Sequence, residues 1–312
     1  MNKCLVCFHP VDEGGFYHQK CARTLFESTE PSQLEFSSDE LTELATKVVA
    51  THSNVTGIQA KISLSTVIDE QGIGRFTVDY KGKYILKPAS DKYPGLPEVE
   101  ATTMQLAEEA GIAVVPHGLI KMNDGKLAYI TRRMDRVGGK KVHQEDLCQL
   151  SERLTEDKYK SSCERVGKTI MSNAVFPKIE IVKYFELVIF NFLHGNNDMH
   201  LKNYSMTHRK DGLWLSAAYD LLNVRLVNSD DDEETALTIN GKKKKLKKQD
   251  FDSLAENLNL LPQQRNNVYK QMNKLRESFE ATIDRSLLTT EHKDVYKQIL
   301  IKNYRLFDSL EP

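Results

Sequence analysis

Near residue 143 the hydrophobic period of this 312-residue chain changes, and that change limits the folds open to it. Before it, apolar and β-branched residues alternate in "KISLSTVID", "RFTVDYKGKYILKP", "VVPHGLIKM" and "LAYITRRMD", around the turn signals "QGIG", "YKGK" and "NDGK". A period of two puts one face of each segment on a core, which predicts antiparallel strands. One helix interrupts them: Pro97 leads into "EVEATTMQLAEEAGI", stopped by Gly111. Beyond residue 143 the spacing is mostly helical, in "HQEDLCQLSERL", "KIEIVKYFELVIFNFLHG", "QDFDSLAENLNL", "PQQRNNVYKQMNKLRESFEATI" and "EHKDVYKQILIKNYRLFDSL". The expectation is an α+β fold with a β-rich N-terminal lobe and a mainly helical C-terminal lobe. A small cysteine-containing cap at 1–30, a first lobe at 31–140 and a second at 141–312 are the expected divisions. The polar stretch "PSQLEFSSD" reads as a linker, with Ser38 or Asp39 capping a helix "ELTELATKVVA".

Bulk properties exclude little but point one way. A net charge of −1 gives no global reason to expect a nucleic acid or an anionic membrane as partner. The start "MNKCLVCFHPVDEGG" lacks the apolar core of a signal peptide, and the best apolar run is broken by Asn191. A cytoplasmic protein with reduced thiols is expected. "DDDEE" (230–234) and "KKKKLKK" (242–248) flank "TALTING", and opposite charges facing across a solvated loop or edge are the plainest account of them.

Cys148 and Cys163 stand alone, as packed residues would. Cys4, Cys7 and Cys21 fall with His18 in C-x2-C-x10-H-x2-C. Two close pairs can give four ligands to a tetrahedral zinc. A hairpin that carries its thiols by chance is the alternative.

The densest chemistry is "HGNNDMHLKNYSM" (194–206), directly after the apolar "YFELVIFNFL". Asp198 and Asn203 stand in D-x4-N spacing, so one tight loop can turn a base to an acceptor hydroxyl and an amide to a metal. Seventeen residues on, "LSAAYDLLNV" places Asp220 where a second metal ligand belongs. A carboxylate and an amide carbonyl are the hard oxygen donors that magnesium favours. Lys202, between base and asparagine, is placed to meet a transferring phosphate. Upstream, "YILKP" ends a strand with Lys87, and Glu98 and Glu100 open the next helix. That is the order of a kinase's phosphate-pairing lysine and its helix glutamate. "SNVTGIQAKISLS" (53–65) offers Gly57, Gln59 and Lys61 ahead of a strand, a sparse phosphate loop with one glycine.

The ordered set "TGIQAK", "YILKP", "LPEVE", "RRMDR", "VHQEDLCQ", "GNNDMHLKNYSM" and "YDLLNV" resembles HipA-like serine/threonine kinases, the toxins of bacterial toxin–antitoxin systems. The length and the cysteine-bearing start resemble the short HipT-type members. The resemblance implies a two-lobed protein-kinase-like fold that binds ATP and Mg2+. It implies Asp198 as catalytic base, Asn203 and Asp220 as magnesium ligands, and Lys87 on the ATP phosphates. The 127–133 strand and its following turn, with Arg133, would form the adenine-side hinge. It further implies a protein substrate, an aminoacyl-tRNA synthetase, and a HipB-like antitoxin through which alone DNA is met. A separate small HipS-like protein would supply the N-terminal subdomain that short members lack. Family members silence themselves by autophosphorylating serines near the loop glycine. A full S-x-S pattern is absent here, so Thr56 is the best acceptor, with Ser53 and Ser63 as fallbacks. Two other readings fit the same residues: a small-molecule kinase, or a kinase-shaped non-catalytic module of an antitoxin–operator complex.

Overall fold

The computed structural model describes residues 2–37, 39–41, 43–44, 61–89, 92–93, 95–228 and 231–307. It divides into two compact units, residues 1–105, 115–134 and 285–289 forming the first and residues 106–114, 135–284 and 290–312 the second.

The first unit is built on a five-stranded antiparallel sheet in the order β2-β1-β3-β5-β4. Its strands are β1 (Ile62–Ile68), β2 (Gly74–Val78), β3 (Tyr84–Lys87), β4 (His117–Lys121) and β5 (Leu127–Arg132). The alternating segments are all strands, but the order is not a simple meander. β3 pairs with β1 and, across the Leu96–Glu109 helix, with β5, while β4 takes the edge. Ile62, Leu64, Phe76, Leu86, Ala128 and Ile130 turn to one core, joined there by Cys4, Val6, Ala22, Leu25 and Phe26 from the N-terminal residues. The last piece of this unit comes from far along the chain: Lys3 Nζ donates to the carbonyl of Arg285 at 2.6 Å.

The second unit is helical around one rod, Pro177–Leu193, started by proline at its first turn and buried along most of its length from Tyr184 on. Phe185, Phe190 and Phe192 lie against Tyr269, Phe279, Phe251 and Phe307. The same unit carries two small sheets: a hairpin of β6 (Arg136–Val137) and β7 (Lys140–Lys141), and a three-stranded sheet β10-β9-β8 (Gly212–Leu215, Ser205–Arg209, Gln144–Asp146).

Here the helical expectation for "HQEDLCQLSERL" fails. Gln144–Asp146 pairs with β9 as a strand, and only Leu147–Leu150 turns helical, held by a capping box between Asp146 and Gln149. Buried Leu147 and Cys148 are satisfied by that single turn. Helix Cys163–Asn173, started by the Ser162 hydroxyl, was not expected, because Gly167 lowers its helical pattern. The long pattern after Pro262 is two helices, Pro262–Lys274 and Arg276–Arg285, broken at Leu275 without glycine or proline. The opposite charge runs do face each other: Lys243 meets Glu233 at 3.1 Å and Lys244 pairs with Asp232, while Lys242 turns instead to Asp250 at 2.8 Å.

Candidate functional site

In the first unit the chemistry centres on Lys87. It closes β3, a strand hydrogen-bonded on both sides, and its register partner on β5 is Tyr129. Its ammonium lies 2.5 Å from Glu100 Oε1 and 5.3 Å from the centre of the Tyr129 ring. Both charged side chains are buried, at 5% and 3% exposure. Of the two glutamates the sequence offered, Glu100 therefore takes the lysine. Glu98 is half-buried, and desolvation raises its carboxyl above the usual range. Arg133 follows β5 and donates its backbone N–H to the Lys83 carbonyl at 2.8 Å. Lys61 is exposed just before β1. Ser53, Thr56, Gly57 and Gln59 lie outside the described residues. Ser63 stands on β1, opposite Ile85.

In the second unit the 194–206 loop leaves the apolar rod through His194 and Gly195. Gly195 has φ 67°, and a Cβ there would sit 2.9 Å from Asn223 Oδ1, so the turn requires glycine. His194 is a core residue, stacked on Phe190 with ring centres 4.0 Å apart and with Nδ1 3.1 Å from the Tyr296 hydroxyl. Burial brings its pKa down to about 3. Asn191, the polar break in the apolar run, receives the Asn196 amide at 2.7 Å and so ties the loop to the rod. Asn196 in turn accepts the Asp198 N–H at 3.3 Å.

Asn203 closes the loop on itself. Its Nδ2 donates to the Asp198 carbonyl at 2.9 Å, while the Asp198 carboxylate accepts the Tyr159 hydroxyl at 2.5 Å. Burial first, then the hydrogen bond to Asp198, raises the Tyr159 hydroxyl's pKa, so the tyrosine is the donor. His200 packs edge-on against Tyr159, and burial lowers it to about 4, leaving it a neutral imidazole. Lys202 meets Asp146 at 3.2 Å, and its carbonyl accepts the Tyr219 hydroxyl at 3.0 Å. Asp220 has φ 54°, and the segment leading to it is anchored by the Ala218 N–H on the Ala113 carbonyl at 2.7 Å.

Thus Asp198, Lys202 and Asn203 share one hydrogen-bonded loop. Sequence reasoning missed Tyr159 and the part played by Asp146. The first sits in the featureless "EDKYKSS", and only the fold brings it to Asp198. Asn203 gives a side-chain N–H to the Asp198 carbonyl, and its amide oxygen takes no part in that bond. With the Asp220 carboxylate this donor set suits magnesium.

The sequence profile of the HipA-like C-terminal domain matches residues 53–283. The chain belongs to this family. Relatives include a Haemophilus influenzae protein named "Putative kinase", 31% identical over 186 residues that are 55% of this chain and 52% of that protein. "Putative kinase Y4dM" of Sinorhizobium fredii is 28% identical over 236 residues, 70% of this chain and 56% of its own. This HipA-like chain spans about half the length of these relatives. Among solved structures it is similar to the Shewanella oneidensis HipA of a HipA, HipB and operator DNA complex. That match has TM-score 0.71 and 19% identity, covering 89% of this chain and 72% of the other. The Helicobacter pylori proinflammatory kinase CtkA matches with TM-score 0.54 and 14% identity, covering 75% and 88%. The α+β expectation and the family resemblance both hold.

Proposed function

We propose that this chain is an ATP-dependent serine/threonine protein kinase acting as the toxin of a HipA/HipT-type toxin–antitoxin system. The observation that carries the reading is an Asp198 carboxylate able to take up a hydroxyl, here that of Tyr159 at 2.5 Å, on a loop locked by Asn203. A general base must hold the hydroxyl of its nucleophile in that way. In the reaction an acceptor serine or threonine oxygen bonds to the γ-phosphorus, its proton passes to Asp198, and ADP leaves. ATP with Mg2+ supplies the phosphoryl group and neutralises its charge. Asn203 and Asp220 hold the metal, and Lys202 steadies the transferring phosphate. Lys87, fixed by Glu100, binds the nucleotide phosphates, with Gly57, Gln59 and Lys61 covering them and Arg133 near the adenine.

The partners follow from the family. A HipB-like antitoxin would hold the toxin, as the Shewanella complex pairs HipA with HipB and operator DNA. DNA would be met only through it. A HipS-like protein would be a further partner, and an aminoacyl-tRNA synthetase would be the phosphorylated target, stopping translation and growth. Thr56 or Ser53 would take an autoregulatory phosphate. A cytoplasmic location suits these partners, and among the described residues no helix is long and apolar enough to cross a membrane.

Labelled ATP and a bacterial lysate test the reading. Wild-type protein should label one protein band, and Asp198→Asn should cut the rate roughly 10²–10⁴-fold with the fold intact. Equal labelling by the variant would remove Asp198 from the chemistry. Label found only in small molecules would move the assignment to a small-molecule kinase.

A further inference from the structure

The kinase reading leaves the cysteine motif at the chain's start without a task, and its residues converge. The thiols of Cys4, Cys7 and Cys21 and a ring nitrogen of His18 all lie within 4.8 Å of one another. His18 Nδ1 is 3.3 Å from Cys7 Sγ and 3.9 Å from Cys21 Sγ. Bonds of about 2.3 Å to sulfur and about 2.0–2.1 Å to nitrogen place tetrahedral zinc ligands roughly 3.5–3.8 Å apart. All five cysteines are unpaired thiols.

Three further features shape this group as a ligand set. His18 Nε2 is 2.9 Å from the Pro10 carbonyl, which can accept only from an N–H there. That fixes the proton on Nε2 and leaves the Nδ1 lone pair facing the sulfurs, the orientation a second-shell carbonyl gives a metal-binding imidazole. The Cys4–Cys7 turn is closed by the Phe8 N–H on the Cys4 carbonyl at 3.0 Å, with Phe8 buried at φ 62°. A bulky residue in that region is strained and persists only where its surroundings hold it. Finally, His18 is the N-cap and Cys21 lies in the first turn of the Gln19–Phe26 helix, so the second ligand pair is rigidly spaced.

We infer that Cys4, Cys7, His18 and Cys21 bind one structural zinc ion. What the ion braces is the edge of the nucleotide-binding sheet. The Leu5 carbonyl, inside the Cys4–Cys7 turn, accepts the Leu119 N–H at 2.8 Å, and the Tyr17 hydroxyl donates to the Leu119 carbonyl at 2.8 Å. A Cβ on Gly118 would meet Val6 at 2.8 Å, so the turn lies directly on β4. Leu119 pairs with Tyr129, and Tyr129 with Lys87. The zinc clip thus ends the row of strand residues that begins at the phosphate lysine. Four closed protein ligands leave no position for substrate, as structural sites require.

Elemental analysis of full-length protein purified without chelator should find one zinc per chain. Cys7→Ser and Cys21→Ser should each lose it, and His208→Ala should keep it. The control matters because His143, Glu145 and His208 form a second, exposed group that could pick up metal but has no thiol. Should the serine variants fail to fold, wild-type protein stripped of metal and reloaded with Co2+ keeps the test decisive. A thiolate-to-cobalt charge-transfer band is expected, and the second group cannot produce one. Chelation should also lower the melting temperature, since ligation energy is folding energy. Zinc at buffer level together with no thiolate–cobalt band overturns the inference. So does a disulfide that takes up Cys4, Cys7 or Cys21 in the native protein.

Discussion

Replacing Glu100 by glutamine keeps the shape of the side chain and removes one charge from a pair that water barely reaches. Lys87 and Glu100 are 5% and 3% exposed, and the ammonium sits 2.5 Å from Oε1. Removing one partner of such a pair strands the other charge, which costs about 3–5 kcal/mol. A domain of this kind is stable by about 5–15 kcal/mol in total, so the loss is a large share. Replacing both partners by apolar residues removes the stranded charge as well, and is often near neutral. Glu100→Gln should therefore destabilise strongly, while Lys87→Met with Glu100→Leu should recover most of the loss. The assay is urea dependence of hydrogen exchange at the β3 and β5 amides, which isolates the first unit from the second. If Lys87 binds the nucleotide phosphates as proposed, phosphoryl transfer should be lost in both proteins, because neither holds that ammonium in place. A single variant that costs under about 1 kcal/mol, or a double variant no better than the single, would refute the account of this pair.

Two more expectations concern the second unit. Tyr159→Phe removes a hydroxyl that holds the Asp198 carboxylate, a bond to a charged group worth roughly 1.5–3 kcal/mol. The acceptor's KM should fall severalfold with the fold unchanged, and a rise in KM would mean that Tyr159 orients the acceptor. His194 is held at about 3 by burial against an ordinary 6.5, so the unfolded chain binds the proton first. Its contribution is fully present above pH 6.5 and is lost as pH falls, by up to about 2 kcal/mol between pH 6.5 and 5. Urea midpoints for wild type should fall over that range more steeply than those of His194→Gln, and parallel curves would show that the buried imidazole does not titrate as described.

The strands of the first unit were legible because each buries one face, and alternation records that directly. What alternation does not record is which strands pair, and β5 lies beside β3 through a contact that no local pattern carries. Helix Pro177–Leu193 was legible from its length and apolarity. The stretch after residue 143 was not, because a strand, a capping box and one helical turn spread the same apolar residues at helix-like intervals. At the candidate site, Asp198 and Asn203 were readable since one loop must carry both. Tyr159 was not, since its only relation to Asp198 is spatial. Asn191 looked like a flaw in an apolar run and is the anchor of the loop that follows.

The hydrogen bond from Lys3 to the Arg285 carbonyl links residues 282 positions apart. A ribosome making this chain releases the first unit's strands long before it releases the piece that finishes that unit. From Arg132 to Arg285 is 285 − 132 = 153 residues, roughly 8–30 s of synthesis at about 5–20 residues per second. Throughout that interval the nascent chain carries its Lys87 sheet without the closing strap. Closure of the first unit therefore waits until the whole 194–220 segment has also been made.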